Sequence, residues 1–251
     1  MPSVFIRVFE VIQSAEHAST NLAKGKIVIG LQILKRKRSV SLELSRKFLE
    51  IPVANVSDCM ARMSAGGPRL RPMHDGKAMA GPAFTVKTRP GDNLMIHKAL
   101  QLAAPGDVIV VDGGGDLTNA LVGEIMVGMA VSRGLAGIVI NGSIRDARAL
   151  RESDFPVFAA GVTHRGPYKD GPGEINVPVA IDGMVIEPGD LVLGDDDGLL
   201  CVPYDQAESL LAAALEKMQL ESKMIAAIKS GAYDATWVDE TLKRLKCPVE
   251  I

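Results

Sequence analysis

What this chain lacks narrows its chemistry. Cysteine is scarce, with Cys59, Cys201 and Cys247 the only three in 251 residues. They are far apart and form no CxxC pair, so neither a disulfide framework nor a thiolate metal site is indicated, and the cytoplasm is the expected compartment. Neither sign of charge dominates: 28 Lys and Arg against 30 Asp and Glu leave a net charge of −2. That balance gives no general pull toward nucleic acid or an anionic membrane, so neither is an expected partner. Any anion must be drawn by a local site. Long apolar runs are also missing. The stretch from Ile27 to Leu34 is broken by Gly30 and Gln32 and is far too short to span a bilayer. Residues 1–13 have neither a basic start nor a small-residue cleavage site and do not read as a signal peptide. The loop Gly113-Gly114-Gly115 fits neither GxGxxG nor P-loop spacing, so no nucleotide site is expected. His17, His74 and His97 have no ligand spacing and are assigned no role.

What is present reads as one substantial core with appendages. Hydrophobic residues are 47% and charged residues 23% of the chain, ordinary for a globular protein. Residues 1–45 form an N-terminal extension of unknown role, with mixed apolar segments and the run Lys35-Arg36-Lys37-Arg38, read as a solvated face. From residue 46 the text becomes regular. Pro-Gly-Asp recurs at 90–92, 105–107 and 188–190, a turn tripeptide in which proline presets φ and glycine tolerates a positive one. The first turn leads into a helical pattern with Ile96, Ala99, Leu100 and Ala103 on one face. The second leads into the buried strand Val108 to Val111. The third leads into a hairpin, Leu191–Leu193 and Leu199–Val202 around Gly194 to Gly198. Ala120 to Arg133 has helical spacing, Gly137–Ile140 is a second buried strand, and Phe155–Ala159 a third in which Pro156 limits the place in the sheet. Residues 174–186 alternate around the hairpin turn Asp182-Gly183. The end, 206–251, is helical. An amphipathic stripe from Ala207 through Leu210, Ala214 and Met218 to Ile225 and Ile228 suits packing against the domain or another subunit, and a shorter helix follows over 237–245.

The informative stretch is Val108 to Leu150: strand, glycine loop, helix, strand, then Asn141-Gly142-Ser143-Ile144-Arg145-Asp146. If the two strands are parallel, the helix between them runs back. Its start and the end of the second strand then share one sheet edge, where open α/β sheets bind ligands. Glu124 and Arg145-Asp146 converge there. Free amides over Val122, Gly123, Glu124 and Ile125 suit a carboxylate. Arg145 can fork onto the same carboxylate or an enolate oxygen. Asp146 is a hard ligand for Mg²⁺ or Mn²⁺, and Glu124 can hold a water of that ion. On spacing alone, an ordinary surface Arg–Asp pair and an acid favoured at a helix start account for these residues as well as a site does.

Glu124, twenty intervening residues, then Arg145-Asp146 resembles the acidic-x20-Arg-Asp signature of the RraA-like family, which includes the class II 4-hydroxy-4-methyl-2-oxoglutarate and 4-carboxy-4-hydroxy-2-oxoadipate aldolases. Supporting text runs in order over about 48–205: Val56-Ser57-Asp58, Gly81 to Val86, Pro90 to Asn93, Pro105 to Val111, Phe155 to Ala159 and Gly194 to Gly198. The resemblance implies a swivelling β/β/α domain with flanking helices, an α/β fold over 46–205, assembled as a homotrimer or homohexamer with sites at subunit interfaces. It implies Asp146 as metal ligand and Arg145 on the pyruvyl carboxylate and enolate. It also implies substrate on the amides of Val122 to Ile125, Glu124 behind the metal, and Asn93 near the site. The activity implied is metal-dependent cleavage of a 4-hydroxy-2-oxo diacid to pyruvate, with oxaloacetate decarboxylation beside it. The alternatives are a family regulator that binds a ribonuclease, or an enolate-forming lyase on another oxo acid. Departures are Glu124 where aspartate is common and Asn141 where aspartate is expected; residues 1–45 have no counterpart. His164, Arg165 and Lys169, in a polar loop over 163–171, could select a polyanionic substrate or be plain exposed residues.

Overall fold

A computed structural model describes residues 30–63 and 66–248. The readings of residues 1–13, of His17 and of the start of the 27–34 stretch lie outside the described residues. The centre is a run of parallel strands: β3 (Met79–Thr88), β4 (Val108–Asp112), β6 (Gly137–Ile144) and β7 (Val157–Val162). The connections carry helices α3 (Leu94–Leu102), α4 (Glu124–Ser132) and α5 (Ala147–Arg151), the crossover that parallel pairing demands. At the margins, β2 (Arg71–Pro72) pairs antiparallel with β7, β8 (Gly173–Ile175) antiparallel with β3, and β1 (Leu31–Ile33) parallel with β8.

Period-two alternation divides the sheet between two cores. On β4, Ile109 and Val111 face the helical layer with Phe84, Ile96, Leu100, Val127 and Ile140. Val108 and Val110 face the other way, against Phe158 and the hairpin β9 (Val179–Ile181) and β10 (Met184–Ile186). That hairpin turns on Asp182 and Gly183, with φ of 49° and 88°, as the Asp-Gly pair requires. The first half of β3 leaves the parallel array and pairs with β11 (Leu191–Asp195), itself in a hairpin with β12 (Gly198–Val202). A third core lies beneath it, where α1 (Leu42–Lys47), α2 (Val53–Cys59) and the start of α6 (Ala207–Lys229) cover Leu191, Leu193, Leu200 and Val202. The fold is mixed α/β, with helices outside and strands inside, in the β/β/α arrangement expected.

Several readings change. The segment ahead of residue 46 is not separate where it is described: β1 joins the sheet, and Val40 is in the third core. The basic run is only partly a solvated face. Arg36 pairs with buried Asp107 at 2.7 Å and lies over Phe84, and Arg38 reaches Glu187, Asp190 and Asp205 and lies over Tyr204. The helix read from Ala120 begins only at Glu124, because Ala120–Val122 forms a short strand, β5, on the extension of β6. At the other end, α6 buries Ala207, Leu210 and Ala214 in its first turns, whereas Ile225 and Ile228 are exposed. A last helix, α7 (Thr236–Arg244), has no buried residue.

Candidate functional site

The C-terminal ends of the parallel strands gather what the sequence spacing points to. A cavity of about 300 Å³ opens there, lined by Asn93, Val122, Gly123, Ile125, Arg145 and Lys169 among others. Ligands bind at this edge in open α/β sheets because helix starts and loops, not side-by-side strands, surround it.

β6 ends at Ile144, and the two residues after it are held in a defined pose. The Arg145 amide donates to the Val122 carbonyl at 2.9 Å. Asp146 takes a left-handed conformation, φ 57° and ψ 35°, uncommon outside glycine and of the kind that collects at functional sites. Its Oδ2 accepts the Glu124 amide at 3.0 Å and lies 3.8 Å from Arg145 Nε. The carboxylate thus sits on the N-terminus of α4, where the helix dipole favours it. Gly123 makes this approach possible: a Cβ there would stand 2.5 Å from Asp146 Oδ2 and 2.9 Å from Arg145 Cγ. Both charged side chains remain accessible, Arg145 at 42% and Asp146 at 41%.

Of the four amides expected to meet a ligand, that of Glu124 is already used by Asp146. A carboxylate adjacent to an unpaired helix-start N–H takes it, which corrects that part of the reading. Among the described residues, the Gly123 and Ile125 amides donate to no protein group, and both residues line the cavity. Glu124 itself is exposed at the first helical position and does not line the cavity. Asp146 is not a lining residue either; it stands next to Arg145, which is.

Asn93 lies deep in the wall, 2% exposed. Its Nδ2 donates to the Leu121 carbonyl at 2.9 Å and contacts Met126 Sδ at 3.4 Å, which fixes the orientation of the amide. Its Oδ1 is buried without a partner. A buried carbonyl oxygen with no donor is costly and calls for an incoming one.

Some lining residues were not singled out from the sequence. His97 follows Asn93 by one helical turn on α3 and shares its face, a spacing that could have marked it. Burial pushes its pKa down, and the Lys169 ammonium pushes it further the same way. Gly166 and Pro167 come from the 163–171 loop, and of the three loop residues the sequence offered, Lys169 lines the wall while His164 and Arg165 are exposed and off it. Asp92 holds that loop in place. Fully buried, its Oδ2 accepts the Asp170 and Gly171 amides at 2.7 and 2.9 Å and meets Arg89 at 3.1 Å, while Oδ1 accepts the Leu94 amide. The Ala120 amide to the Arg165 carbonyl and the Tyr168 amide to the Gly91 carbonyl add two further ties. His74, by contrast, is a core histidine bonded to the backbone of Val157 and Lys77.

The donor set fits a hard divalent cation only in its sparsest form. Among the described residues no group of three or more His, Cys, Asp or Glu converges. Asp146 alone offers an accessible carboxylate beside the cavity, with Glu124 next to it. Mg²⁺ fits such a site, since it keeps several waters and uses one or two carboxylates.

Comparison with known proteins identifies the family and the fold. The family model described as "RraA-like: Aldolase/RraA" matches residues 53–201. A protein of Halalkalibacterium halodurans named "Putative 4-hydroxy-4-methyl-2-oxoglutarate aldolase" is 40% identical over 176 residues, 70% of this chain and 84% of that one. Among solved structures, an uncharacterized protein from Pseudomonas syringae pv. tomato superposes with a TM-score of 0.70 at 28% identity, covering 77% of this chain and 95% of that one. The RNA-processing inhibitor RraA from Thermus thermophilis superposes at 0.57 with 33% identity, over 61% and 93%. With a family match over more than half its length, this chain belongs to the RraA-like family.

Proposed function

We propose that the cavity binds a 2-oxo acid and that the protein is a divalent-metal-dependent aldolase, cleaving a 4-hydroxy-2-oxo diacid to pyruvate and a second oxo acid. One observation carries this reading. Arg145, the two residues with uncommitted helix-start amides, Gly123 and Ile125, and Asn93 line one small cavity, and the Asp146 carboxylate stands beside Arg145. A Mg²⁺ or Mn²⁺ ion held by Asp146 would supply Lewis-acid polarisation of the 2-oxo group. The chain's own groups do the rest. The amides of Gly123 and Ile125 and the Arg145 guanidinium receive the 1-carboxylate. Arg145 also faces the oxygen that becomes negative when the C3–C4 bond breaks and its electron pair leaves a pyruvate enolate, the step at which fixed charge contributes most. Glu124 relays, through water, the proton leaving the 4-hydroxyl; protonation at C3 then gives pyruvate. The same groups serve the enolate left when oxaloacetate loses CO₂, so decarboxylation is expected as a second activity. The reading includes assembly as a homotrimer or homohexamer, which the exposed Met224, Ile225, Ile228 and Trp237 support.

A second reading, a regulator that binds a ribonuclease, is favoured by the similarity to an RNA-processing inhibitor. Pyruvate release from a panel of 4-hydroxy-2-oxo diacids and oxaloacetate, with and without Mg²⁺ or Mn²⁺, separates the two: metal-dependent release supports the aldolase, and none on any oxo acid favours the regulator. Covalent trapping of pyruvate on a lysine by borohydride would contradict the metal-enolate scheme.

A further inference from the structure

The glycine loop that follows β4 has no nucleotide spacing, and its geometry gives it another use. It wraps the end of β6 at Asn141. The Gly113 and Gly115 amides both donate to the Asn141 carbonyl, at 3.2 and 3.1 Å, and the Gly114 amide donates to Asp112 Oδ1 at 3.0 Å. Gly115 has a φ of 70°, which favours glycine, and a Cβ on it would meet the Arg69 guanidinium. The buried Asn141 side chain closes the wrap. Its Oδ1 accepts from Arg69 Nη2 at 2.8 Å, and its Nδ2 donates to Asp112 Oδ1 at 3.0 Å. A guanidinium only donates and a carboxylate only accepts, so the chemistry fixes which way the amide points. Asn141 thus joins a cation to an anion without adding charge; an aspartate there would face Asp112 with like charge. Arg69 is held in turn by Asp182, in the turn of the β9–β10 hairpin, at 2.6 Å.

The wrap builds a slot. Gly113 and Gly142 both stand against the tip of Leu121: a Cβ would lie 2.6 Å from Leu121 Cδ1 at Gly113 and 3.0 Å from it at Gly142. Leu121 is buried in β5, and β5 supplies two carbonyls that orient the site. That of Leu121 accepts Asn93 Nδ2, and that of Val122 accepts the Arg145 amide. The helix α4 is fixed separately, by Met126, Val127 and Ala130 in the helical core. We propose that Asn141 and Arg69 are positioning residues for the reaction. By clasping the glycine loop they keep Leu121 in its slot, and β5 then sets Arg145 and Asn93 toward the ligand. Neither lines the cavity; both act through β5. The kinetic consequence rests on the aldolase reading. Loosening the clasp displaces Arg145, which faces the developing enolate charge, while the amides at the start of α4 keep their place for the carboxylate. Rate is sensitive to misplacement of about 1 Å, so kcat falls more than KM rises.

Steady-state kinetics of the full chain on 4-hydroxy-4-methyl-2-oxoglutarate with Mg²⁺ test the clasp, together with backbone hydrogen exchange. Arg69→Met is expected to lower kcat about fivefold and to move KM less than about twofold. Asn141→Asp sets a second carboxylate against Asp112, and the contact returns only when the pair holds a proton. Arg69 favours the ionised form, with Asp182 sharing its charge, and Asp112 opposes it. The kcat of Asn141→Asp divided by that of the wild-type protein should therefore be about one-tenth at pH 8 and rise as pH falls to 5.5. The division removes the titration of the site itself, and an unspecific loss of packing gives no such recovery. Hydrogen exchange over 113–123, followed by mass spectrometry, reads the clasp without substrate and should quicken in both variants. Should Asn141→Asp not fold, Arg69→Met decides alone, since Arg69 is 41% exposed. A kcat within twofold of wild type in Arg69→Met, a ratio flat with pH in Asn141→Asp, or unchanged exchange overturns the proposal. Absence of wild-type turnover would sink the aldolase reading instead, while the exchange rates would still decide the clasp.

Discussion

The three Pro-Gly-Asp turns put one tripeptide at two ends of the parallel strands, and the ends use it differently. In each, glycine has a positive φ, 74° at Gly91, 83° at Gly106 and 93° at Gly189, and the aspartate is buried, at 0% for Asp92, 1% for Asp107 and 3% for Asp190. At the C-terminal end of β3, Asp92 spends its carboxylate on the amides of the loop over the cavity. Near Ala83 and Val108, Asp107 and Asp190 instead receive Arg36 and Arg38 from the segment after β1. The same buried acid fastens a ligand-facing loop at one end and a covering segment at the other. A turn motif therefore tells where the chain is pinned, and its partner decides whether the pin serves a site.

That difference can be broken by mutation. Asp92→Ala should have the largest effect, because Asp92 is fully buried and its loss strands two loop amides and the Leu94 amide and leaves Arg89 without its partner. A stability loss of about 3 kcal/mol is expected by chemical denaturation, with KM for any oxo acid rising sharply as Lys169 and Gly166 lose their place. Arg36→Ala should cost about 2 kcal/mol by leaving the Asp107 carboxylate buried and without its cation, yet leave KM within twofold; a KM change as large as that of Asp92→Ala would erase the distinction between the ends. Arg38→Ala should cost under about 1 kcal/mol, since Arg38 is about one-third exposed and its contact to Asp190 is long, at 3.5 Å.

The smallest effect concerns pH. Burial first and Lys169 second lower the His97 pKa in the folded protein, so the unfolded chain binds the proton at higher pH than the folded one. Stability is then lost as pH falls through the ordinary histidine range toward the folded value, and is flat below it. The drop in denaturation midpoint between pH 7.5 and 5.5 should be smaller in His97→Gln than in the wild-type protein. An equal drop would show that His97 does not carry it.

Much of the positioning was legible in the sequence, for physical reasons. Buried parallel strands are continuous apolar runs, so Val108 to Val111 and Gly137 to Ile140 stood out, and Arg145-Asp146 follows the second of them once the strand is completed to Ile144. The Asp182-Gly183 and 194–198 hairpins carry their turn chemistry in the residues themselves. Less was visible where a partner distant in sequence decides. β5 reads as the first turn of a helix because its partner, Ser143-Ile144, is what makes it a strand. The basic run reads as solvated because Asp107 and Asp190 lie far along the chain. His97 and Lys169 join one wall through the anchoring of the 163–171 loop by Asp92, which no local periodicity records, and the use of the Glu124 amide by Asp146 depends on a close approach over Gly123.

The account's central claim is that Arg145 and Asp146, at the end of β6, support an enolate. Its most direct test is pyruvate release from 4-hydroxy-4-methyl-2-oxoglutarate in the presence of Mg²⁺ or Mn²⁺, by the wild-type protein and by Asp146→Ala. The predicted result is turnover by the wild-type protein that stops on chelation of the metal. In the variant it should fall by about a thousandfold, while stability drops only by about 1 kcal/mol for the lost bond to the Glu124 amide, because Asp146 is exposed. Undiminished turnover by Asp146→Ala would contradict it.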